Sequence, residues 1–374
     1  MGLPDVVVVG AGVIGAACAE ALSAAGLRVT VLDRGPLAAG TSAAGEGNVL
    51  VSDKEPGPEL DLALASLARW PELLDRVGHD VEWDPKGGLV VATGDPSLLA
   101  GFAAHQRAAG VDARLIGPAE AFEREPQLTR RVTTAVHYPQ DAQLQPVLAT
   151  TALLDAVRKR GGVLRPGVTA LGFGPDGVRT SDGVVPCGAV VNACGPWSGA
   201  VSRALGAPID IQPRRGMVLV TAPMPHTVRH KVYDADYVGA VASGDADLQT
   251  STVVESTAAG TVLIGSSRER VGFDESIRVR VLRELARKAV ALFPGLADVP
   301  VMRAYGGFRP YAPDHLPVIG ADPRVPGLWH ATGHEGAGIG LAPATGALLA
   351  ELLTGARPHV DPQPFRVDRP GVLA

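Results

Sequence analysis

Val6-Val7-Val8-Val9 is an unbroken β-branched run, the pattern of a strand buried on both faces. Gly10 interrupts it. An alanine-rich stretch from Val13 to Ala25 predicts a helix closed by Gly26, and Arg28 to Leu32 predicts a second strand. Strand, helix and strand in that order make a β-α-β unit. Leu60, Leu64, Leu67, Trp70 and Leu74 then recur near helical spacing and predict a helix from Pro58 to Val77. Glu82 to Thr93 reads as a hairpin, Gly94 to Pro126 as helical and irregular in turn, and Val147 to Arg160 as an amphipathic helix. Val163, Val168 and Leu171 mark short strands, and Val184 to Ala193 reads as a strand running into Cys194-Gly195-Pro196.

From Ile211 to Ile264 the pattern changes. Apolar runs such as Met217-Val218-Leu219-Val220 and Thr261-Val262-Leu263-Ile264 alternate with Gly and Asp turns, which predicts an antiparallel sheet. A helix from Ser276 to Leu292 follows, then a strand from Leu328 to Ala331, a glycine-rich loop and a helix from Pro343 to Leu353. The fold class expected is α/β with an α+β substrate domain: a Rossmann-type nucleotide-binding domain interleaved with a mainly antiparallel-sheet substrate domain. The segments 1–80, 145–210 and 300–374 are assigned to the first, and 81–144 and 211–299 to the second.

Composition narrows the class. With 374 residues, 46% hydrophobic and 20% charged, the chain can bury a core large enough to enclose a bulky cofactor. The formal net charge is −5 and no block of like charges occurs, so neither a nucleic acid nor a membrane surface is an expected partner. Cys18, Cys187 and Cys194 form no C-x-x-C pair and read as reduced thiols, which points to the cytoplasm. Val6–Val9 is too short for a signal or membrane segment. His79, His105, His226 and His230 show no zinc-like cluster with acidic partners.

Gly10-Ala11-Gly12-Val13-Ile14-Gly15 is G-x-G-x-x-G between a predicted strand and helix, the context the motif needs. Gly10 permits the tight turn, Gly12 lets backbone approach a pyrophosphate, and Gly15 lets helix and strand pack closely. The helix N-terminus, with its unpaired N–H groups, favours the phosphates. Asp33, followed by Arg34, ends the second strand 18 residues after Gly15, where a carboxylate can accept from ribose hydroxyls. These residues leave open whether the dinucleotide is FAD or NAD.

Three further segments carry a resemblance. Gly40-Thr41-Ser42-Ala43-Ala44-Gly45-Glu46-Gly47-Asn48 resembles the flavin-side loop of the D-amino acid oxidase superfamily. Asn192-Ala193-Cys194-Gly195-Pro196-Trp197-Ser198 is similar to its second FAD-contacting turn. Gly306-Gly307-Phe308-Arg309-Pro310, with Gly333-His334-Glu335-Gly336-Ala337-Gly338-Ile339-Gly340, resembles its C-terminal signature. The similarity runs through the whole chain, and within the superfamily it points to glycine oxidases and the flavin subunits of D-hydroxyproline dehydrogenases. It implies FAD, held non-covalently since no cysteine stands where sarcosine oxidases attach it. Val168 would contact the adenine side through its backbone. The loop before the last helix would bring a second helix N-terminus to the flavin pyrimidine ring.

A flavin amine oxidoreductase needs a fixed cation for the substrate carboxylate, and arginine's planar fork suits it. The resemblance selects Arg309; the plain alternative is a surface arginine in a proline-bounded turn. Tyr237 stands where glycine oxidases have a carboxylate-contacting tyrosine; the alternative is a half-buried aromatic on a strand. Glu46 is expected near the flavin without an assigned role, and Glu255 is considered as a carboxylate that meets the substrate amine. Gly336 replaces a second arginine of glycine oxidase. The lysine that activates oxygen in monomeric sarcosine oxidases is absent from Val262-Leu263-Ile264-Gly265. The partners implied are a small amino or imino acid and either oxygen or an electron-acceptor protein, with homo- and hetero-oligomers both open. The chemistry implied is hydride transfer from the α-carbon to flavin N5, giving an imine and, from a primary amine, a 2-oxo acid.

Overall fold

The structure is a computed structural model that describes residues 5–235 and 244–374. In chain order the first half holds β1 (Val6–Val9), α1 (Val13–Ala24), β2 (Val29–Asp33), β3 (Asn48–Val49), α2 (Pro58–Val77), β4 (Gly88–Ala92), α3 (Ser97–Ala108), β5 (Arg114–Ile116), α4 (Pro118–Arg124), β6 (Thr134–Tyr138), β7 (Ala142–Gln143) and α5 (Pro146–Lys159). Then come β8 (Val163–Pro166), β9 (Ala170–Gly174), β10 (Gly177–Thr180), β11 (Gly183–Val185), β12 (Ala189–Asn192), α6 (Ser198–Ala204), β13 (Gln212–Thr221), β14 (Lys231–Asp234), β15 (Gln249–Ser256) and β16 (Val262–Arg268). The chain closes with α7 (Val279–Leu292), β17 (Val301–Tyr311), β18 (Val318–Ala321), β19 (Leu328–Thr332) and α8 (Gly338–Thr354).

Among the described residues two large sheets organise the molecule. A six-stranded sheet has the order β18-β19-β12-β1-β2-β8, parallel except for β18. Its centre shows why β1 is apolar throughout. Val6 and Val8 face a core shared with helix residues such as Leu22, Trp70, Leu153 and Leu348, while Val7 and Val9 face Val178 and Leu205 on the other side. An eight-stranded sheet has the order β17-β13-β16-β15-β14-β4-β6-β5, antiparallel except where β14 meets β4. Val281, Leu285, Ala289 and Leu292 of α7 pack on it, in the i+4 and i+3 steps of one apolar helix stripe. Among the described residues, no helix is long and apolar enough to cross a membrane.

Several elements differ from their sequence reading. Glu82–Thr93 holds the single strand β4, not a hairpin; its neighbours are β6 and β14, far along the chain. Val184–Ala193 is two strands, because Pro186 has no N–H to donate and the chain changes sheets there. β17, from 301, is the edge strand of the eight-stranded sheet. The last helix begins at Gly338, not Pro343. Proline disturbs the helical ladder there, but α2 supplies substitutes. Ser66 Oγ accepts from Ala344 N at 3.2 Å and Trp70 Nε1 donates to the Gly340 carbonyl at 3.2 Å.

Candidate active site

The glycine turn after β1 is shaped by its neighbours. Gly10 has φ 109°, and a Cβ there would come within 2.7 Å of the Ala193 carbonyl carbon. A Cβ on Gly15 would collide with the Gly10 carbonyl, so α1 can start this close to β1 only without one. Both oxygens of Asp33 brace the turn: Oδ2 accepts from Ala11 N and Oδ1 from Gly35 N, each at 2.8 Å. Ser42 Oγ accepts from Val13 N at 2.9 Å and so satisfies one free donor at the start of α1.

A cavity of about 390 Å³ runs past this turn. Gly10, Gly12, Val13, Ile14, Asp33 and Arg34 form one stretch of its wall, and Gly40, Thr41, Ser42, Gly45 and Asn48 the next. Val168, Cys194, Gly195 and Trp197 close the side by β12, and His334, Glu335, Gly336, Gly338 and Ile339 bring the start of α8 to it. Gly307 and Arg309 complete it from β17. Four of the residues expected to bind the cofactor do not line the cavity. Gly15 is packed on Gly10, Gly47 on the Leu144 carbonyl, Gly333 on Ile211 and Ala312, and Ala337 caps α8 with its N–H on the His334 carbonyl. They shape backbone that the lining residues depend on. Tyr237 lies outside the described residues.

Aromatic side chains gather around Trp197. Arg34 stands 4.7 Å above the Trp197 ring, and Trp197 stacks on Phe273 at 5.4 Å. Val168 donates its backbone N–H to the Asp33 carbonyl at 2.9 Å. Burial pushes the Cys194 thiol up to about 12, so it is neutral, with Sγ 3.2 Å from the Val9 carbonyl. His334 is likewise neutral: burial lowers its pKa to about 3, and Nε2 lies 3.0 Å from Thr345 Oγ1. Glu335 has φ 42°, an uncommon conformation; its carboxylate pairs with Arg214 at 3.1 Å and lies 2.7 Å from His315 Nδ1.

The cavity also meets the eight-stranded sheet. Gly216 on β13 and Gly307 on β17 are cross-strand partners in the wall, and the space a Cβ would take is filled by Arg309 over the first and by Ala44 over the second. Arg309 lies over Gly216 and donates Nη1 to the Ser267 carbonyl at 2.9 Å. Gly336 stands beside it, its Cβ position 3.4 Å from Arg309 Nε, so the residue that replaces the second arginine leaves room for the first. Glu46 also lines the cavity. Glu255 does not: it is fully buried behind the wall, 3.3 Å from Lys231 Nζ, and burial raises its pKa. The sequence reading missed Gly216 and Val218, both in the wall. A glycine opening the apolar run Met217–Val220 was the available signal, since glycine inside a strand often marks close approach.

Two helix N-termini along one groove, with a braced carboxylate and a pair of glycine-bearing strands in its wall, suit an extended dinucleotide with a flat ring. The protein is thus a dinucleotide-dependent one with a Rossmann-type core. Residues 5–352 match the family model DAO, FAD dependent oxidoreductase, and the chain belongs to that family. Its cofactor is FAD, and the protein is an oxidoreductase. A glycine oxidase of Pseudomonas aeruginosa is 32% identical over 96% of this chain and 97% of its own. The hydrogen cyanide synthase subunit HcnC of the same species is 30% identical over 98% and 96%. The crystal structure of glycine oxidase from Geobacillus kaustophilus superposes with a TM-score of 0.89 at 26% identity, covering 99% of both chains.

Proposed function

We propose that the protein oxidises the C–N bond of a small amino or imino acid: glycine, sarcosine, D-proline, D-hydroxyproline or another D-amino acid. The observation that carries this reading is Arg309, a guanidinium in the cavity wall where the cavity meets the eight-stranded sheet, whose planar fork suits a carboxylate. The relatives named glycine oxidase support the substrate class. Bound FAD supplies the two-electron acceptor. The Gly10–Gly15 turn and the start of α1 would hold its pyrophosphate, Asp33 a ribose, and the start of α8 the ring end, without a covalent bond. Segments that build the six-stranded sheet would carry FAD, and the eight-stranded sheet the substrate. Arg309 binds and orients the substrate carboxylate. The substrate gives up a hydride from its α-carbon and a proton from its nitrogen to become an imine, and water releases a 2-oxo acid and ammonia where the amine is primary. The three cysteines are free, in keeping with a place in the cytoplasm.

A second reading is a flavin subunit that passes electrons to partner subunits instead of oxygen. The 30% identity to a subunit named in a hydrogen cyanide synthase favours it. One experiment addresses both. The visible spectrum of the purified protein is followed during anaerobic additions of the candidate amino acids, and air is then admitted. Bleaching by one of them supports the C–N reading, and a flavin none of them bleaches removes it. Rapid return of the yellow colour in air marks an oxidase; a flavin that stays reduced marks a dehydrogenase subunit.

A further inference from the structure

Asn192, the last residue of β12, leads into the turn Ala193-Cys194-Gly195 in the cavity wall. That turn offers a ligand mainly its backbone: Cys194 Sγ is spent on the Val9 carbonyl, and Gly195 has no side chain. What the turn can hold therefore depends on how its peptide groups are set. Gly195 has φ 51°, and its carbonyl accepts from Thr332 Oγ1 of β19 at 3.2 Å. Cys194 N donates to Asn192 Oδ1 at 3.4 Å.

The amide of Asn192 is assigned atom by atom. It is fully buried; Nδ2 donates to the Ser198 carbonyl at 3.0 Å and lies 3.3 Å from His330 Nδ1 on β19. An NH2 group only donates, so His330 Nδ1 carries a lone pair. The other ring nitrogen, Nε2, lies 3.2 Å from Asp322 Oδ2. Arg324 clamps the same carboxylate, through Nε at 3.0 Å and Nη2 at 2.8 Å. Burial opposes charge on Asp322, but the hydrogen bonds from His330 and Arg324 outweigh it and hold its carboxyl below the usual range. Burial lowers the His330 pKa, so the ring is neutral and has one N–H. A carboxylate only accepts, so it takes that N–H on Nε2 and leaves Nδ1 bare for Asn192.

Asp322, His330 and Asn192 thus form a hydrogen-bonded chain of one direction, from Arg324 at the surface to the cavity wall. All three are buried, and none of them lines the cavity. Apolar side chains of the same shape would fill the space without the cost of burying polar groups. What the polar chain adds is a single orientation for the Asn192 amide, and with it for the Cys194 N–H.

We infer that Asp322 and His330 are positioning residues for FAD: through Asn192 they set the backbone of the Cys194–Gly195 turn that the cofactor meets. This rests on the reading that the cavity beside the Gly10–Gly15 turn holds FAD.

The test titrates FAD into the apoprotein and follows flavin fluorescence, with the apoprotein Tm measured alongside. His330→Asn keeps an acceptor facing Asn192 and loses the donor to Asp322. His330→Gln keeps a donor reaching Asp322 and loses the acceptor. Asp322→Asn keeps size and shape but turns an NH2 toward His330, which reverses the ring tautomer. The expected result is an FAD Kd at least tenfold higher in His330→Gln and Asp322→Asn, and within threefold of wild type in His330→Asn. A merely structural role would make Kd follow Tm and would not separate the two His330 variants. Should His330→Gln not fold, the comparison is Asp322→Asn against His330→Asn. Equal Kd values across either comparison overturn the inference. Gly12→Val checks the cavity itself. If that variant binds FAD as wild type does, the cavity reading and the inference fall together; if it loses FAD while the other variants keep it, the inference falls alone.

Discussion

The guanidinium of Arg309 on β17 rests against the backbone of Gly216 on β13. A Cβ on Gly216 would come within 2.8 Å of Arg309 Cζ and 2.9 Å of Nη2. The missing side chain is what gives the arginine its place. Arg309→Ala should raise KM by about thirtyfold or more, the equivalent of about 2–5 kcal/mol for a buried charge partner. Gly216→Ala keeps the arginine and displaces it, and should lower kcat/KM roughly tenfold to a hundredfold. Steady-state kinetics with the amino acid identified by flavin bleaching checks both, and an unaltered KM in Arg309→Ala would remove that residue from carboxylate binding.

Gly12 faces the cavity with its Cβ position 3.0 Å from Ser42 Oγ, the group that caps α1. Gly12→Val should crowd both that cap and the pyrophosphate, and the purified variant should be nearly colourless. The ratio of flavin to protein absorbance measures this. A variant as yellow as wild type would contradict the placement of the pyrophosphate.

Lys231 is 2% exposed and Glu255 is 0% exposed, and they pair at 3.3 Å. Removing one partner leaves the other charge buried. Lys231→Met should cost about 3–5 kcal/mol of stability, and adding Glu255→Leu should restore a large part of it. Urea unfolding of the single and double variants gives the comparison; a double variant no more stable than the single would show that the pair's burial is not the cost.

Asp141 is fully buried, and its Oδ1 accepts from Val51 N at 2.9 Å. Burial outweighs its hydrogen bonds and raises its pKa from 3.8 to about 7. A raised acid keeps its proton in the folded state after the unfolded chain has released it. Its contribution to stability is therefore full below the unfolded value and is lost as pH rises through about 7. Asp141→Asn cannot titrate, so its Tm relative to wild type should climb between pH 5 and pH 8. Parallel melting curves across that range would refute the assignment.

The first β-α-β unit was legible residue by residue, because its signals are local. A β-branched run, three glycines at fixed offsets and an acidic residue at the end of the next strand each reflect a backbone demand made within about 30 residues. The helix Pro58–Val77 was legible for the same reason, since helical spacing is a short-range pattern. Local signals also misled. Pro343 reads as a boundary in sequence, but Ser66 and Trp70 on another helix take up backbone groups beside it.

The substrate end of the cavity was decided elsewhere. Arg309 and Gly216 lie far apart in sequence and meet only because β13 and β17 pair in one register. Glu46 and Glu255 look alike as acidic residues among small or apolar neighbours, yet one lines the cavity and the other sits behind its wall against a lysine. The sequence by itself determined the dinucleotide turn, the alternation of sheet types and the residue types available for chemistry. Which of those side chains face one another was left to tertiary structure, because strand register and burial come from contacts between distant segments and no local pattern records them.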